Sequence, residues 1–125
     1  MANETIKLSD GELELMAVLW ERAPLAASAI MALAPEHRDW SSTTVKTMLA
    51  RLVEKGALTA EADGRRYLYR PAIDRDAVAV EQAGRLIDRL FGGKLSPLVA
   101  QLAAERDLSD DDLAELEALV KGLRQ

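Results

Sequence analysis

The chain has 125 residues, of which 49% are hydrophobic, with no cysteine and a formal net charge of -5. This length supports one modest core with one appendage, and a chain without cysteine has no disulfide, thiolate metal site or cysteine nucleophile. Because no apolar run approaches the roughly 20 residues that cross a bilayer, and the N-terminus lacks an export signal, we expect a cytoplasmic protein without membrane insertion.

The first predicted helix begins at a capping box. Ser9 and Glu12 stand three residues apart, directly before apolar residues that recur at helical spacing to about Arg22. We therefore expect a helix that is mostly core. The residues before Leu8 are predicted to form a short, poorly fixed lead-in.

A second, shorter helix is predicted between two prolines. Pro24 ends the first helix, and Leu25-Ala26 is expected to form a short extended link. The second helix then covers about Ala27–Leu33 and ends before Pro35, because proline disfavours the helical conformation in the residue that precedes it.

The stretch from Asp39 to Gly56 predicts a third helix with two different faces. Ser41 or Ser42 is expected to cap its start, and Gly56 suits the left-handed residue that closes a helix. Trp40 is expected to pack the preceding turn onto the core rather than to touch a ligand. The apolar face consists of Val45, Met48, Leu49, Leu52 and Val53.

The opposite face of this helix carries hydroxyls, a methyl group and cations. Such a mixture suits the major groove of DNA and its flanking phosphates, although a merely solvated face is the alternative interpretation. Lys46 and Thr47 are the expected readers of base edges, whereas Ser41, Ser42 and Arg51 better suit phosphate. The DNA-binding residues predicted on this helix are Ser41, Ser42, Thr43, Thr44, Lys46, Thr47 and Arg51.

A β-hairpin is predicted after the third helix. The runs Leu58–Ala62 and Arg66–Arg70 partly alternate, and they are joined through Asp63-Gly64-Arg65, in which Asp-Gly is a strong hairpin signal. Three helices followed by a hairpin predict a winged helix-turn-helix. Arg65 and Arg66 at its tip are predicted to meet phosphate or the minor groove, with solubilising charges as the alternative.

Three amphipathic helices are predicted in the rest of the chain. The fourth is capped by Asp74 and runs to about Phe91, the fifth begins with Ser96 as cap and Pro97 as its first residue, and the sixth opens at Ser109-Asp110-Asp111-Asp112. Three such helices cannot bury all their apolar faces alone, so we expect a symmetric dimer. The predicted dimerisation residues are Leu86, Leu90, Leu98, Leu102, Leu113, Leu116, Val120 and Leu123.

The charges are unevenly distributed along the chain. Residues 1–73 contain nine Lys and Arg against ten Asp and Glu, whereas residues 74–125 contain seven against eleven. Between Arg38 and Arg70, seven cations stand against four acids, so the acidic total does not exclude DNA binding. We assign residues 1–73 to a winged helix-turn-helix DNA-binding domain and residues 74–125 to a helical dimerisation domain.

Several groups of residues, in this order and spacing, carry a resemblance to a known family. They are Leu8-Ser9-Asp10-Gly11-Glu12-Leu13-Glu14-Leu15-Met16 with Leu19-Trp20, Trp40-Ser41 with Thr44-Val45-Lys46-Thr47 and Leu49, Arg51-Leu52 with Lys55-Gly56, and the later Phe91-Gly92-Gly93, Leu98-Val99 and Asp107-Leu108-Ser109. Over nearly its whole length the chain resembles the penicillinase repressor family of bacterial regulators, which includes the β-lactamase, methicillin-resistance and copper-responsive repressors.

The resemblance implies a homodimeric winged-helix repressor on an inverted-repeat operator at its own promoter and at those of antibiotic-resistance or stress genes. It also implies inactivation by cleavage in the C-terminal region, performed or triggered by a membrane-bound sensor metalloprotease. In the β-lactam repressors the cut falls between asparagine and phenylalanine, and the matching positions here are Gln101 and Leu102. The cysteine-rich metal site of the copper-responsive branch is excluded, because this chain has no cysteine.

The sequence therefore predicts a mainly α protein with a small β-hairpin, and the resemblance implies that it acts as a homodimeric, autoregulated transcriptional repressor. No catalytic residue, metal site or cofactor motif is predicted, since the single histidine, His37, lacks partners for a triad or a zinc site. A winged-helix adaptor that binds proteins without DNA is the alternative, favoured by the acidic total. An enzyme with paired carboxylates ranks third, for want of a convergent site.

Overall fold

A computed structural model describes residues 6–124, which form six α-helices, one short 3-10 turn and three strands. Two compact units divide between Ala79 and Val80. The helices and strands are α1 (Asp10–Arg22), β1 (Leu25–Ala26), α2 (Ala27–Leu33), the 3-10 turn Glu36–Arg38, α3 (Ser42–Glu54), β2 (Leu58–Asp63), β3 (Arg66–Pro71), α4 (Arg75–Phe91), α5 (Leu95–Glu105) and α6 (Asp110–Leu123).

The start of α1 confirms the predicted capping box. The Ser9 hydroxyl accepts a hydrogen bond from the Glu12 amide at 3.1 Å, and the Glu12 carboxylate accepts one from the Ser9 amide at 2.9 Å. These two bonds satisfy amides that the first helical turn leaves free. The helix ends at Arg22, as the apolar spacing predicts.

The first unit contains a three-stranded antiparallel sheet in the order β1-β3-β2. The hairpin of β2 and β3 was expected, but the predicted link at Leu25-Ala26 is also a strand. Leu25 pairs with Tyr69 and Ala26 with Leu68. Because these partners are more than forty residues apart in sequence, local pattern does not reveal the pairing.

Helix α3 begins and ends as predicted. The Ser41 hydroxyl accepts a hydrogen bond from the Thr44 amide at 3.1 Å, so Ser41 is the N-cap. Gly56 follows the helix with φ of +86°, a conformation that a residue with a Cβ adopts only under strain. Trp40, just before the cap, packs partly buried against the core, and three helices with a hairpin confirm the winged helix-turn-helix.

The core of the first unit lies where α1, α2 and α3 meet the sheet. The side chains of Leu15, Leu19 and Ile30 are fully buried. On α3, Met48 and Val53 are half-buried at the edge of the cluster. Since burying an aliphatic side chain contributes about 1.5 to 3 kcal/mol, this cluster holds α3 in place. Its buried hydrophobic members are Leu8, Leu15, Met16, Leu19, Ile30, Val45, Leu49, Leu52, Ala57 and Leu58.

Part of the predicted lead-in is fixed. Residues 1–5 lie outside the described residues, but Ile6 packs against the core and the Lys7 carbonyl accepts a hydrogen bond from Lys55 Nζ at 2.8 Å. The expectation of a poorly fixed segment is therefore wrong for these two residues. No local sequence pattern indicates this hydrogen bond, because the donor lies 48 residues further along the chain.

Among residues 6–79, one charged side chain is buried. Glu12 is 5% exposed, and its Oε1 accepts a hydrogen bond from Lys55 Nζ at 2.6 Å. Burial raises the pKa of Glu12, but the bonds from Lys55 and Ser9 more than offset this and hold the pKa below its ordinary value of 4.5. The carboxylate is therefore more acidic in the folded chain than in the unfolded chain.

The free energy of unfolding should consequently fall as the pH decreases below about 4.5, because the unfolded chain then binds the proton that folded Glu12 resists. Glu12→Gln should lower this free energy by about 1 to 2 kcal/mol at pH 7, the loss of a charged hydrogen bond, and by less at pH 3.5. Urea unfolding followed by tryptophan fluorescence checks this, since Trp20 and Trp40 both lie in the first unit. An equal loss at both pH values would contradict the assignment.

The three predicted amphipathic helices are present; α4 begins in the first unit and continues into the second, which contains all of α5 and α6. The Asp74 carboxylate accepts a hydrogen bond from the Ala77 amide at 3.2 Å just before α4, and Ser109 caps α6 in a capping box with Asp112. The predicted start of α5 is wrong. Lys94, not Ser96, is its N-cap and makes no side-chain cap bond. Pro97 lies in the first turn of the helix instead of at its first position. This is possible because amides of the first turn have no partner within the helix, so a proline there costs no hydrogen bond.

No side chain of residues 80–124 is buried in the single chain. Large apolar residues stand exposed on all three helices, including Leu90 at 64%, Val120 at 53% and Leu123 at 86%. An isolated unit of this kind has little hydrophobic stabilisation. Among the described residues, no helix has both the length and the apolarity to span a bilayer.

Candidate nucleic-acid interface

The surface of α3 that faces away from the core is exposed. Val45, Leu49 and Leu52 are buried on one side, which forces the residues between them outward, since successive helical residues are about 100° apart. All of the DNA-binding residues predicted on this helix are exposed: Ser41, Ser42, Thr43, Thr44, Lys46, Thr47 and Arg51.

Two of these hydroxyls also stabilise the start of the helix. Ser41 Oγ lies 2.9 Å from Thr44 Oγ1 and accepts the Thr44 amide. Ser42 and Thr43 occupy the first turn beside them. Free amides and the helix dipole make such a turn attractive to a phosphate.

The hairpin places its two arginines at an exposed tip. Asp63 pairs with Arg66 across the turn, and Gly64 takes φ of +65°, as a tight two-residue hairpin turn requires. Arg66 Nε donates to Asp63 Oδ2 at 3.1 Å, so one of the two charges is already partly neutralised. Arg65 has no ion pair among the described residues.

Helix α3 and the hairpin meet in a groove of about 390 Å³ that brings three of the predicted residues together. Lys46 lines it from α3, and Arg65 and Arg66 line it from the hairpin. Ser28, Tyr67 and Tyr69 also line this groove, although the sequence did not predict them as site residues. Tyr67 and Tyr69 are two apart on β3 and so share one face of the strand, but only the folded sheet shows that both border the same groove as Lys46. The full lining is Ala26, Ala27, Ser28, Lys46, Arg65, Arg66, Tyr67 and Tyr69.

A second groove, of about 360 Å³, runs between α2 and α3. Ser28, Ser42 and Lys46 are its polar lining residues. Lys46 and Ser28 therefore border both grooves. The side chain of Lys46 therefore stands between the two grooves, at the centre of the candidate surface.

The seven cations between Arg38 and Arg70 fall into two sets. Arg38, Lys55 and Arg66 form ion pairs with Glu14, Glu12 and Asp63, respectively. Within residues 6–124 no ion pair involves the other four, and these carry the positive charge of the candidate surface. The four are Lys46, Arg51, Arg65 and Arg70.

The remaining predicted site residues all lie in the second unit. Leu86 and Leu98 are half-buried, whereas the other predicted dimerisation residues are exposed. On α6 a groove of about 470 Å³ is lined by Leu113, Leu116, Glu117, Val120, Lys121 and Arg124. Gln101 and Leu102 lie in the middle of α5, with Gln101 exposed and Leu102 45% exposed.

Comparison with known proteins identifies relatives over nearly the whole chain. The family model described as penicillinase repressor matches residues 8–122. The penicillinase repressor of Bacillus licheniformis is 30% identical over 115 residues, which cover 92% of this chain and 90% of that protein. The methicillin resistance regulatory protein MecI of Mammaliicoccus sciuri is 27% identical over 120 residues, or 96% of this chain and 98% of that protein.

A solved structure matches the first part of the chain. It is the solution structure of the Bacillus licheniformis BlaI monomeric form in complex with the blaP half-operator. Its sequence is 37% identical, its TM-score is 0.50, and the match covers 58% of this chain and 89% of that chain. The relative in that structure is bound to a half-operator, and its fold matches the first part of this chain.

Proposed function

This chain belongs to the penicillinase repressor family, a family of transcriptional repressors rather than enzymes, and on that premise we propose that it is a homodimeric, autoregulated repressor. It binds an inverted-repeat operator upstream of its own gene and of resistance or stress genes. The observation that carries the proposal is the joint placement of Lys46, Arg65 and Arg66 around one exposed groove between α3 and the hairpin.

The two elements suit different parts of a duplex. A helix with exposed Lys46 and Thr47 fits the major groove and presents donors and a methyl group to base edges. The hairpin tip, with Arg65 and Arg66, reaches the adjoining phosphates or minor groove. The DNA strand between these contacts then passes over the groove that Ser28 and Tyr67 line.

Electrostatics support this surface despite the net charge of -5. Affinity for DNA depends on the phosphates that nearby cations neutralise rather than on the total charge. Lys46, Arg51, Arg65 and Arg70 are exposed or partly exposed cations of α3 and the hairpin. Most of the negative excess is in residues 74–125, outside the proposed DNA-binding domain of residues 1–73.

The second unit supports dimerisation. Residues 80–124 bury no side chain, although all three helices carry large apolar residues. A second copy of the chain would cover such faces in the same way on both subunits, as a twofold interface requires. Two linked heads then bind two half-sites much more tightly than either head alone.

Footprinting of the purified protein on DNA upstream of its own gene tests the proposed function. Two protected half-sites should appear, with centres about 10 base pairs apart or a multiple of that distance. The protection should weaken steeply as salt is raised. Absence of protection, or equal protection of every sequence, would overturn the proposal.

The contribution of the hairpin tip is measured by salt dependence. Replacing Arg65 and Arg66 by glutamine should lower the slope of log K against log[salt] by up to about 1.8 per subunit, at about 0.9 per phosphate contact. Arg106→Gln, which removes one exposed cation from the second unit, is the control and should leave the slope unchanged. Binding titrations over a range of salt concentrations check this, and an unchanged slope in the double variant would place the hairpin off the DNA.

We propose release from DNA by cleavage between Gln101 and Leu102, performed or triggered by a membrane-bound sensor metalloprotease. Both side chains are accessible on α5, whose N-cap makes no side-chain bond, so local opening of this helix is comparatively easy. Cleavage would separate α6 and its apolar groove from the rest of the chain. Mass spectrometry of the protein from induced cells should find one fragment ending at Gln101 and another beginning at Leu102.

A further inference from the structure

The C-terminal end of α3 is tied to the first turn of α1. Lys55, the C-cap of α3, donates from Nζ to Glu12 Oε1 at 2.6 Å and to the Lys7 carbonyl at 2.8 Å. Glu12 is 5% exposed and also accepts the Ser9 amide. The carboxylate therefore cannot move without breaking the cap of α1, and the end of α3 is held at a rigid point.

The N-terminal end of α3 is tied to a residue two positions further along α1. Arg38, in the 3-10 turn before α3, donates to Glu14 Oε1 from Nε at 2.9 Å and also from Nη2. Its guanidinium lies over the Trp40 ring, 5.5 Å from the ring centre. Trp40 directly precedes Ser41, the N-cap of α3, so this contact fixes the entry of the chain into the helix.

Between these two ties, Gly11 of α1 lies close to Trp40, before α3, and to Met48, in the middle of α3. A Cβ placed on Gly11 would lie 3.1 Å from the Trp40 ring and 3.2 Å from the Met48 methyl group. Glycine is thus the residue that lets this turn of α1 approach α3. Three residues within one turn of α1, Gly11, Glu12 and Glu14, hold both ends of α3.

The apolar face of α3 does not by itself set its orientation. Hydrophobic burial of Val45, Leu49 and Leu52 is non-directional, whereas hydrogen bonds are sensitive to distance and angle. The 13 residues of α3 span about 20 Å, so a tilt of about 3° at one end moves the other end by about 1 Å. That displacement exceeds the tolerance of a hydrogen bond to a base edge.

We propose that Glu12 and Glu14 are positioning residues that set the sequence selectivity of DNA binding by fixing the two ends of α3. This inference rests on the proposed function, because it concerns how α3 meets base edges. Contacts from long, flexible cations to phosphate tolerate small displacements better than aligned contacts to bases. Loss of the two ties should therefore reduce discrimination between sequences more than it reduces affinity for DNA in general.

The test compares E12Q, E14Q and the double variant with wild-type protein. Glutamine keeps the shape of the side chain and an acceptor for the Ser9 amide, but it removes the charge that holds Lys55 or Arg38. E21Q is the matched control, because Glu21 is an exposed acid of the same helix with no ion pair among the described residues. It changes the net charge by the same amount and leaves α3 untouched.

The measured quantity is the ratio of affinities for the footprinted duplex and a scrambled duplex of equal length. We expect the double variant to lose about tenfold in this ratio, part of the worth of one base contact. Its affinity for the scrambled duplex should differ from that of E21Q only by the effect of the second charge removed. Amide hydrogen exchange without DNA should show faster exchange at Lys55 in E12Q and not in E21Q.

Charge reversal separates positioning from general stability. Glu14→Arg should lose selectivity, and combining it with Arg38→Glu should restore part of the ratio, because the ion pair returns without the contact between Arg38 and Trp40. Unchanged selectivity in E12Q/E14Q, or a parallel loss on both duplexes that follows thermal stability, would overturn the inference while leaving the proposed function intact. Failure of wild-type protein to discriminate between the duplexes would overturn both.

Discussion

Replacing Leu116 and Val120 by aspartate is expected to give a monomer that binds the operator about 10² to 10⁴-fold more weakly than the wild-type protein. The two side chains are 42% and 53% exposed in the single chain, and both line the apolar groove of α6. A partner that covered this groove would have to bury four additional carboxylates in the dimer. That cost exceeds what a modest helical interface provides.

Sedimentation equilibrium should show the change in mass, and fluorescence anisotropy with a labelled operator the loss of affinity. The matched control replaces Ala114 and Ala118 by aspartate. These residues are exposed on the opposite side of α6, so the variant adds the same charge to the same helix without touching the groove. A Leu116→Asp/Val120→Asp protein that stays dimeric, or a monomer with wild-type operator affinity, would refute dimerisation through α6.

Lys46→Ala should weaken binding to the operator by about 1 to 3 kcal/mol and reduce the preference for it, because the side chain is expected to contact a base edge. Lys46 is exposed and borders both grooves of the candidate surface. Thr47→Ala should have a similar effect on preference. Neither change should disturb folding, since both side chains point away from the core.

Arg51→Ala provides the comparison within the same helix. It also removes an exposed cation from α3. Arg51 is expected to contact phosphate, however, and a phosphate contact carries no sequence information. Affinity should therefore fall by a similar factor on operator and on scrambled DNA. Gel-shift titrations on the two duplexes distinguish the roles, and wild-type binding of both duplexes by Lys46→Ala would reject the assignment.

The elements that the sequence predicts well are those with local signals. The capping box of α1, the Ser41 cap and the turn at Gly64 each depend on residues within a few positions of one another. Their energies are local, so the same short pattern gives the same structure in most contexts. The local pattern is ambiguous at the start of α5, because a serine before a proline suits either the N-cap or the first turn of a helix.

Contacts between distant residues were not predictable. The pairing of Leu25 with Tyr69 adds β1 to the sheet, and Lys55 reaches Glu12 across 43 residues. The groove between α3 and the hairpin depends on the same long-range packing, so the sequence does not predict that Ser28 and Tyr67 line it. Sequence pattern placed the charged residues on the correct elements, but only the fold shows which cations are paired within the protein.

Cross-saturation from operator DNA to the backbone amides of deuterated protein tests the DNA-contact surface most directly, because saturation passes only between protons in close contact. The amides of residues 42–51 on α3 and 63–67 at the hairpin tip should lose the most intensity, and those of residues 17–22 at the end of α1 should be unaffected. Saturation at the end of α1, with residues 42–51 and 63–67 unaffected in a stable complex, would contradict DNA binding through α3 and the hairpin.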